Sequence, residues 1–363
     1  MYVIKSLPAH DGDSFIIKFG KGTNAKNIIV DGGRRAKVVK KLKEELSIIQ
    51  QANQYVDLLV VTHIDEDHIQ GLIKLFEDSE IDKSIFKKVW FNSKELLSMH
   101  FMKEEQEDEQ LQINYKEDNK ISFTNGISFG KLIKNLNLSA PNLIHSGQEL
   151  NIGEATLKVL SPNLEELEKL FKKWDKVFPA KISNGIPISS RDKEDHHKTI
   201  DELSKMEFIE DKAPANGSSI AFSIEIKGEK LLMLGDSFPS VVEGNLKKIY
   251  NDANKIPFSL IKVSHHGSKH NTSQQLLDLV SCNRYLISTN GQTHGFPHKE
   301  TLVKISLSSK NDSDKTYFYF NYPNIQDKIF NLKETEFLNI KCIDADNIQN
   351  EVLEVDLWKS SEN

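Results

Sequence analysis

Hydrophobic and polar positions change period several times along the chain. Ser14–Phe19 and Asn27–Val30 are β-branched and aromatic runs separated by the turn residues Gly20, Lys21 and Gly22. This predicts two or three strands across residues 1–35, with Asp31-Gly32-Gly33 closing the last. From 36 to 50 the period lengthens, and Val38, Val39, Leu42, Leu46 and Ile49 fall on one face of a helix. Asp57–Thr62 is a short, continuously apolar run, the pattern of a strand buried on both faces. Ile69–Phe76 reads as the helix that follows it.

The pattern resumes further on. Ala155–Leu160 reads as a strand ending at Ser161-Pro162, and Ser219–Ile226 with Lys230–Leu234 as a hairpin about Lys227-Gly228-Glu229. Phe258–Val263 and Arg284–Ser288 are strands flanking a helix over Ser273–Val280. Strands interleaved with helices, in two such halves, predict an α/β sandwich. Two stretches interrupt it. Residues 94–146 carry the run Lys103–Glu109, and residues 163–215 carry a helical Leu164–Phe178 followed by a polar loop with His196 and His197. Both read as charged, solvated insertions in a domain spanning 1–310, available as a lid or a protein-partner surface. Residues 311–363 read as a β-rich extension packed on the same domain, with a frayed end at Ser360–Asn363.

Composition narrows the class. Lys plus Arg is 47 against 53 for Asp plus Glu, a net charge of -6, which argues against nucleic-acid binding over the whole surface. A local basic groove stays open, with Lys262, Lys269 and Lys299 as candidates. Cys282 and Cys342 are the only cysteines, so neither a disulfide framework nor a cysteine-rich zinc module is expected. The start of the chain has no charged stretch leading into an apolar one, and no apolar run approaches the roughly 20 residues that span a bilayer. A cytoplasmic protein without a membrane segment is expected.

The chemistry concentrates in Thr62-His-Ile-Asp-Glu-Asp-His-Ile-Gln-Gly71. An apolar strand ends at Thr62, and His63, Asp65, Asp67 and His68 follow within six residues. His63 and Asp65 alternate and can face one side of an extended loop, whereas Asp67 and His68 are adjacent and can serve different ions. Converging imidazoles and carboxylates at this density are what a divalent metal requires.

This segment resembles the H-x-H-x-D-H signature of the metallo-β-lactamase superfamily. More closely it resembles the H-x-D-x-D-H variant in the soluble domain of ComEC-type competence proteins and their stand-alone relatives. Asp11–Ser14 and Asn27–Gly33 resemble the opening hairpin of the family. Leu231–Ser237 resembles the strand delivering its metal-bridging aspartate, here Asp236, and Val263–Ser268 resembles the HHGS loop of the ComEC-type group. Ile287–Gly291 with Pro297-His298 resembles the final motif of that group. The resemblance spans roughly residues 3–310. It implies a four-layer αββα sandwich and hydrolysis by a metal-bound hydroxide at a dinuclear site.

The chain departs from the zinc-enzyme pattern. Asp65 replaces the second histidine, Asn216 stands where the third is expected, and Asn290 stands where related nucleases carry the last. The usual HP dipeptide has become Phe296-Pro297, leaving His294 and His298 as candidates. These changes move the donor set toward oxygen, which favours Mn²⁺ over Zn²⁺ or Mg²⁺. The metal residues implied are His63, Asp65, Asp67, His68, Asp236, Asn216 and His298. Asp67, His266 and, second to it, His265 are the catalytic candidates, with a histidine contacting a scissile phosphate or protonating the leaving oxygen. Gly267 and Ser268 allow backbone N–H groups to approach an anion, while Asp31 and Asp13 would orient the metal loop from behind.

The leading function is a phosphodiesterase acting on nucleic acid or a nucleotide. Hydrolysis of a small nucleotide, lactone or thioester is the alternative, since the fold hosts all of these. A third reading is a catalytically weakened binding subunit in a DNA-processing or anti-phage system. A class B β-lactamase is disfavoured by the missing histidines and by the absence of an export signal.

Overall fold

The computed structural model describes residues 1–102, 117–177, 194–250, 255–309, 315–345 and 352–358. Two sheets carry the chain. The first has six strands, in the order Leu353–Asp356, Tyr2–Ser6, Phe15–Phe19, Lys26–Val30, Val56–Val60 and Val89–Trp90. The second has eight, in the order Ile340–Asp344, Thr316–Phe320, Arg284–Ile287, Leu260–Lys262, Glu229–Met233, Ala221–Ile226, Ala155–Ser161 and Glu149–Ile152.

The period-2 pattern decides the layering. Phe15, Ile17, Ile28, Val30, Leu58 and Val60 point into a cluster between the sheets, where they meet Leu157, Val159, Phe222, Ile224, Leu231 and Met233. The alternate residues Ile16, Ile29 and Leu59 point outward to a helical layer containing Val38, Leu42, Leu72 and Leu75. Leu232, Ile261, Tyr285 and Ile287 point outward from the second sheet to Val242, Leu246, Leu276 and Leu302. Side chains that alternate faces on two stacked sheets, each backed by helices, give the four-layer αββα sandwich.

The helices of the two charged stretches are not solvated additions. Glu117–Asn135 contributes Phe123, Phe129 and Ile133 to the outer core of the first sheet, and Leu164–Val177 contributes Leu167, Leu170, Phe171 and Trp174. The expectation of solvated elaborations is corrected for these helices, whose apolar faces complete a core layer. The run Lys103–Glu109 and the loop at 178–193, on which a lid would depend, lie outside the described residues.

Beyond residue 310 the chain adds strands to both sheets. Thr316–Phe320 pairs in parallel with Arg284–Ile287, and Leu353–Asp356 pairs antiparallel with Tyr2–Ser6. No described helix is long and apolar enough to cross a membrane.

Parallel pairing fixes where the site can be. Glu229–Met233, Leu260–Lys262 and Arg284–Ile287 run parallel to one another, as do Lys26–Val30 and Val56–Val60. The loops leaving their carboxyl ends share one edge of the sandwich. The sheets are stitched there by Ile220 N–H donating to Thr62 O at 2.9 Å and Ser288 Oγ donating to Gly12 O at 2.7 Å.

Candidate metal centre

The helix after the Val56–Val60 strand begins at Glu66, three residues earlier than the apolar period suggests, and runs to Glu77. Asp67 and His68 therefore sit in its first turn rather than on an extended loop. Glu66 and Asp67 suit that position because the helix N-terminus attracts negative charge. Asp65 is the N-cap, but its side chain makes no capping bond, so its carboxylate stays available to the site.

Four imidazoles surround one carboxylate oxygen. Asp236 Oδ2 lies 3.4 Å from His68 Nε2, 3.6 Å from His265 Nε2, 3.8 Å from His63 Nε2 and 3.9 Å from His266 Nε2. Asp65 Oδ2 is 3.6 Å from His63 Nε2, and Asp67 Oδ2 is 3.7 Å from His68 Nε2 and 3.4 Å from His266 Nε2. Two donors each about 2.1 Å from a shared tetrahedral ion stand about 3.4 Å apart, so these spacings fit ligands awaiting an ion.

The hydrogen bonds behind the rings settle which nitrogen carries the proton. His68 Nδ1 lies 2.8 Å from Asp31 Oδ2, which can only accept, so Nδ1 donates. Thr62 Oγ1 donates to the same Asp31 Oδ2 at 2.7 Å, and so must accept from His63 Nδ1 at 3.0 Å. His266 Nδ1 donates to the Ser288 carbonyl at 2.9 Å. The Asn271 amide nitrogen faces the carbonyls of Asp236 and Ser237 and the Asp211 carboxylate, which leaves its oxygen to accept from His265 Nδ1 at 2.9 Å. All four rings thus carry hydrogen on Nδ1 and turn Nε2 inward. The Nε2 atoms of His63, His68 and His266 and Asp236 Oδ1 are buried without a hydrogen-bond partner. Such atoms are costly unless something fills the space between them, and a divalent cation does so. The combinations His63–His68–Asp236 and Asp67–His68–His266 each bring their donor atoms within 4.8 Å of one another.

The electrostatics point the same way. Burial opposes charging His266, but the carboxylates of Asp13 and Asp236 outweigh it and push its pKa up to about 10. His68 is likewise raised well above the usual imidazole value, against burial, by Asp236, Asp67 and Asp31. Burial would raise Asp236, yet the surrounding histidines hold it well below the ordinary carboxylate range. The pocket favours positive charge, and protons and metal ions compete for the same nitrogens.

Backbone strain accompanies this arrangement. His265 and His266 occupy the left-handed region in succession, at φ 48° and 55°, a conformation costing about 1–3 kcal/mol per non-glycine residue that persists only where surroundings enforce it. His265 N–H donates to Gly235 O, which ties this turn to the one carrying Asp236.

Several expected residues lie elsewhere. Asn216 is buried and its amide donates at 2.6 Å to Asp211, the carboxylate that lies 3.7 Å from His265 Nδ1. The His298 ring is buried, with Nδ1 accepting from Lys269 N–H at 3.2 Å, so it braces the histidine loop and joins none of those groups. Asn290 Oδ1 caps Gln292 N–H in its own turn. Ser268 N–H donates to His265 O and is not open to an anion. His294 stands at the rim of the cluster, its ring 5.6 Å from that of Phe296, and partial burial and the neighbouring His265 lower its pKa. His196, expected in solvent, bonds the Pro297 carbonyl at 3.0 Å.

Two of the three candidate guiding lysines are buried. Lys262 pairs with Asp13, and Lys299 pairs with Glu334 at 2.7 Å, so neither can meet a nucleic-acid strand; only Lys269 is partly exposed. Asp211 and Asn271, which orient His265, were missed from sequence because nothing in their neighbourhood along the chain marks them. Arg34, also missed, grips the Asp11 carboxylate with two nitrogens and reaches Glu66 at 3.5 Å, clamping the first loop to the helix that carries Asp67.

A family model described as the metallo-beta-lactamase superfamily matches residues 7–291. The chain belongs to that superfamily. No curated protein sequence matches this metallo-beta-lactamase chain. Among solved structures it is similar to the metallo-beta-lactamase fold protein YhfI from Bacillus subtilis, at 10% identity and TM-score 0.41, covering 98% of this chain and 99% of that one. It is also similar to a mutant of CmlA beta-hydroxylase, at 9% identity and TM-score 0.40, covering 98% of this chain but 53% of that one, so it spans about half the length of CmlA. A Cronobacter sakazakii metallo-beta-lactamase with an HARLDQ motif is similar at 10% identity and TM-score 0.31, covering 85% and 87%.

Proposed function

We propose that this chain is a metal-dependent phosphodiesterase with two divalent ions, acting on nucleic acid or a nucleotide. The observation that carries the proposal is the single Asp236 oxygen set among four inward-facing Nε2 atoms, with Asp65 and Asp67 on either side. His63, Asp65, His265 and Asp236 would hold one ion. Asp67, His68, His266 and Asp236 would hold the other. His265 and His266 thereby move from proton donors to ligands, because the nitrogens that would donate face the carboxylates.

When bound, the ion pair supplies an activated water and neutralises charge on a substrate oxygen. The residues of the chain supply the frame. Asp31 holds His68 directly and His63 through Thr62, and Asn271 and the Ser288 carbonyl hold the other two rings. Fixed rings pre-position the donors and raise their basicity. The balance of imidazole and carboxylate is less oxygen-rich than the sequence suggests, since His265 and His266 add nitrogen. With three carboxylates present, Mn²⁺ remains our first choice, with Zn²⁺ and Mg²⁺ as its competitors.

A phosphodiester substrate is favoured by this pairing of hard donors with a carboxylate-rich pocket, because the cations it would hold are what an anionic phosphate oxygen needs. The test is hydrolysis of bis(p-nitrophenyl) phosphate and labelled single-stranded DNA by metal-stripped protein reloaded with Mn²⁺, Zn²⁺ or Mg²⁺, beside Asp67→Ala. Turnover that needs metal and is lost in the variant supports the proposal. Metal-loaded protein that cleaves neither phosphodiester but opens a lactone or thioester overturns it.

A further inference from the structure

Lys262 closes the Leu260–Lys262 strand in the middle of the second sheet, with its side chain fully buried. Its ammonium pairs with Asp13, also buried, and donates to the Gly235 carbonyl at 3.2 Å. Each contact leads to the donor cluster. Asp13 Oδ1 lies 3.4 Å from His266 Nδ1. Gly235 immediately precedes Asp236. The backbone anchors Asp13 beside the second donor group, because its N–H donates to Asp67 O at 3.3 Å and its carbonyl accepts from Gly33 N–H at 2.8 Å. A buried ion pair is a poor device for stability, since apolar residues of similar volume often serve as well or better, whereas removing one partner strands a charge. What needs a reason is the place where this pair sits.

We infer that Lys262 and Asp13 form a positioning pair for the group Asp67, His68 and His266. The inference rests on the two-ion reading above. Asp13 sets a carboxylate behind His266 Nδ1 and, with the Ser288 carbonyl, keeps that nitrogen as the donor and Nε2 facing inward. Lys262 neutralises Asp13, so that this carboxylate can stand behind the ring without an unpaired charge in the interior. The first group meets the pair only at the Gly235 carbonyl, which also accepts from His265 N–H. The lysine that the sequence offers as a guide for substrate is, in this reading, part of the metal frame.

The test is titration of the metal-stripped full chain with Mn²⁺ and, in parallel, Zn²⁺. Calorimetry would follow both ions, and the exchange-coupled electron paramagnetic resonance signal of a manganese pair would report double occupancy. Lys262→Met is expected to weaken the second ion by about 10–100-fold, the cost typical of outer partners, while the first stays within about threefold. Asp13→Asn should do the same, because it leaves an ammonium buried beside the second ion. The double variant Lys262→Met/Asp13→Asn should lose less than either single one, since no charge is left unpaired. Unchanged second-ion affinity in the single variants, equal weakening of both ions, or additive losses in the double variant would each overturn the inference. Should Lys262→Met fail to fold, Asp13→Asn against the double variant decides in the same way. Wild-type protein that takes up neither metal overturns the two-ion reading and this inference with it. Two ions in wild type and in every variant overturn the inference alone.

Discussion

The two regions that meet at Asp236 are built on different plans. His63 to His68 is one contiguous segment, leaving a buried strand and entering a helix, and its rings are held by the side chains of Thr62 and Asp31. His265 and His266 come from a tight turn with two left-handed residues, and their rings are held separately, by Asn271 a few residues further along and by the Ser288 carbonyl at the end of the Arg284–Ile287 strand. The first plan places donors by spacing along the sequence. The second places them by a strained turn. The first should therefore depend on the one distant carboxylate, Asp31, that serves both of its rings, whereas the rings of the second can be disturbed one at a time.

The sharpest way to break the comparison is at the atom both plans share. Asp236→Ala should abolish binding of both ions and cost hydrolysis more than the about 10–100-fold typical of outer partners; metal analysis by ICP-MS and the phosphodiester assay check it. Gly12→Ala comes next. A Cβ there would stand 1.8 Å from Asp67 O, so the Asp67 backbone must shift. The second ion should be lost with the first retained, which a metal titration resolves.

Asp31→Asn separates the plans themselves. One carboxylate orients both rings of the first region, so both ions should weaken by about 10–100-fold. Asn271→Ala should cost about tenfold at most and only at the first ion, because His265 is partly exposed and water can replace the amide. Equal losses in these two variants would remove the distinction drawn between the regions. The smallest effect concerns lysines. Lys269→Ala should reduce the salt dependence of single-stranded DNA binding by about one counterion, while Lys299→Ala should leave it unchanged; fluorescence anisotropy across a salt series measures both.

Much was legible before any coordinates. The alternating runs at Ser14–Phe19, Asn27–Val30 and Asp57–Thr62 carry their layer assignment within themselves, because side chains alternate faces at a period of two and a hydrophobic pattern leaves one way to bury them. The density of donors in Thr62–Gly71 announced a metal loop for the same local reason. Asp236 was marked through the resemblance of Leu231–Ser237 to the family strand that delivers a bridging aspartate, and not by its spacing.

Tertiary structure decided what spacing cannot. The order of adjacent His265 and His266 along the chain does not say where their rings point; the Ser288 carbonyl and the Asn271 oxygen turn both Nε2 atoms onto Asp236. Lys262 and Lys299 look like surface cations until Asp13 and Glu334 are seen to bury them. His298 sits near the right place in sequence, yet its bond to Lys269 N–H holds its ring on the histidine loop and outside the donor groups. Periodicity determines which face of an element is buried, because that is a property of the local backbone. Which nitrogen faces an ion depends on hydrogen bonds closed between residues far apart in the chain, and those exist only once the sheets have packed.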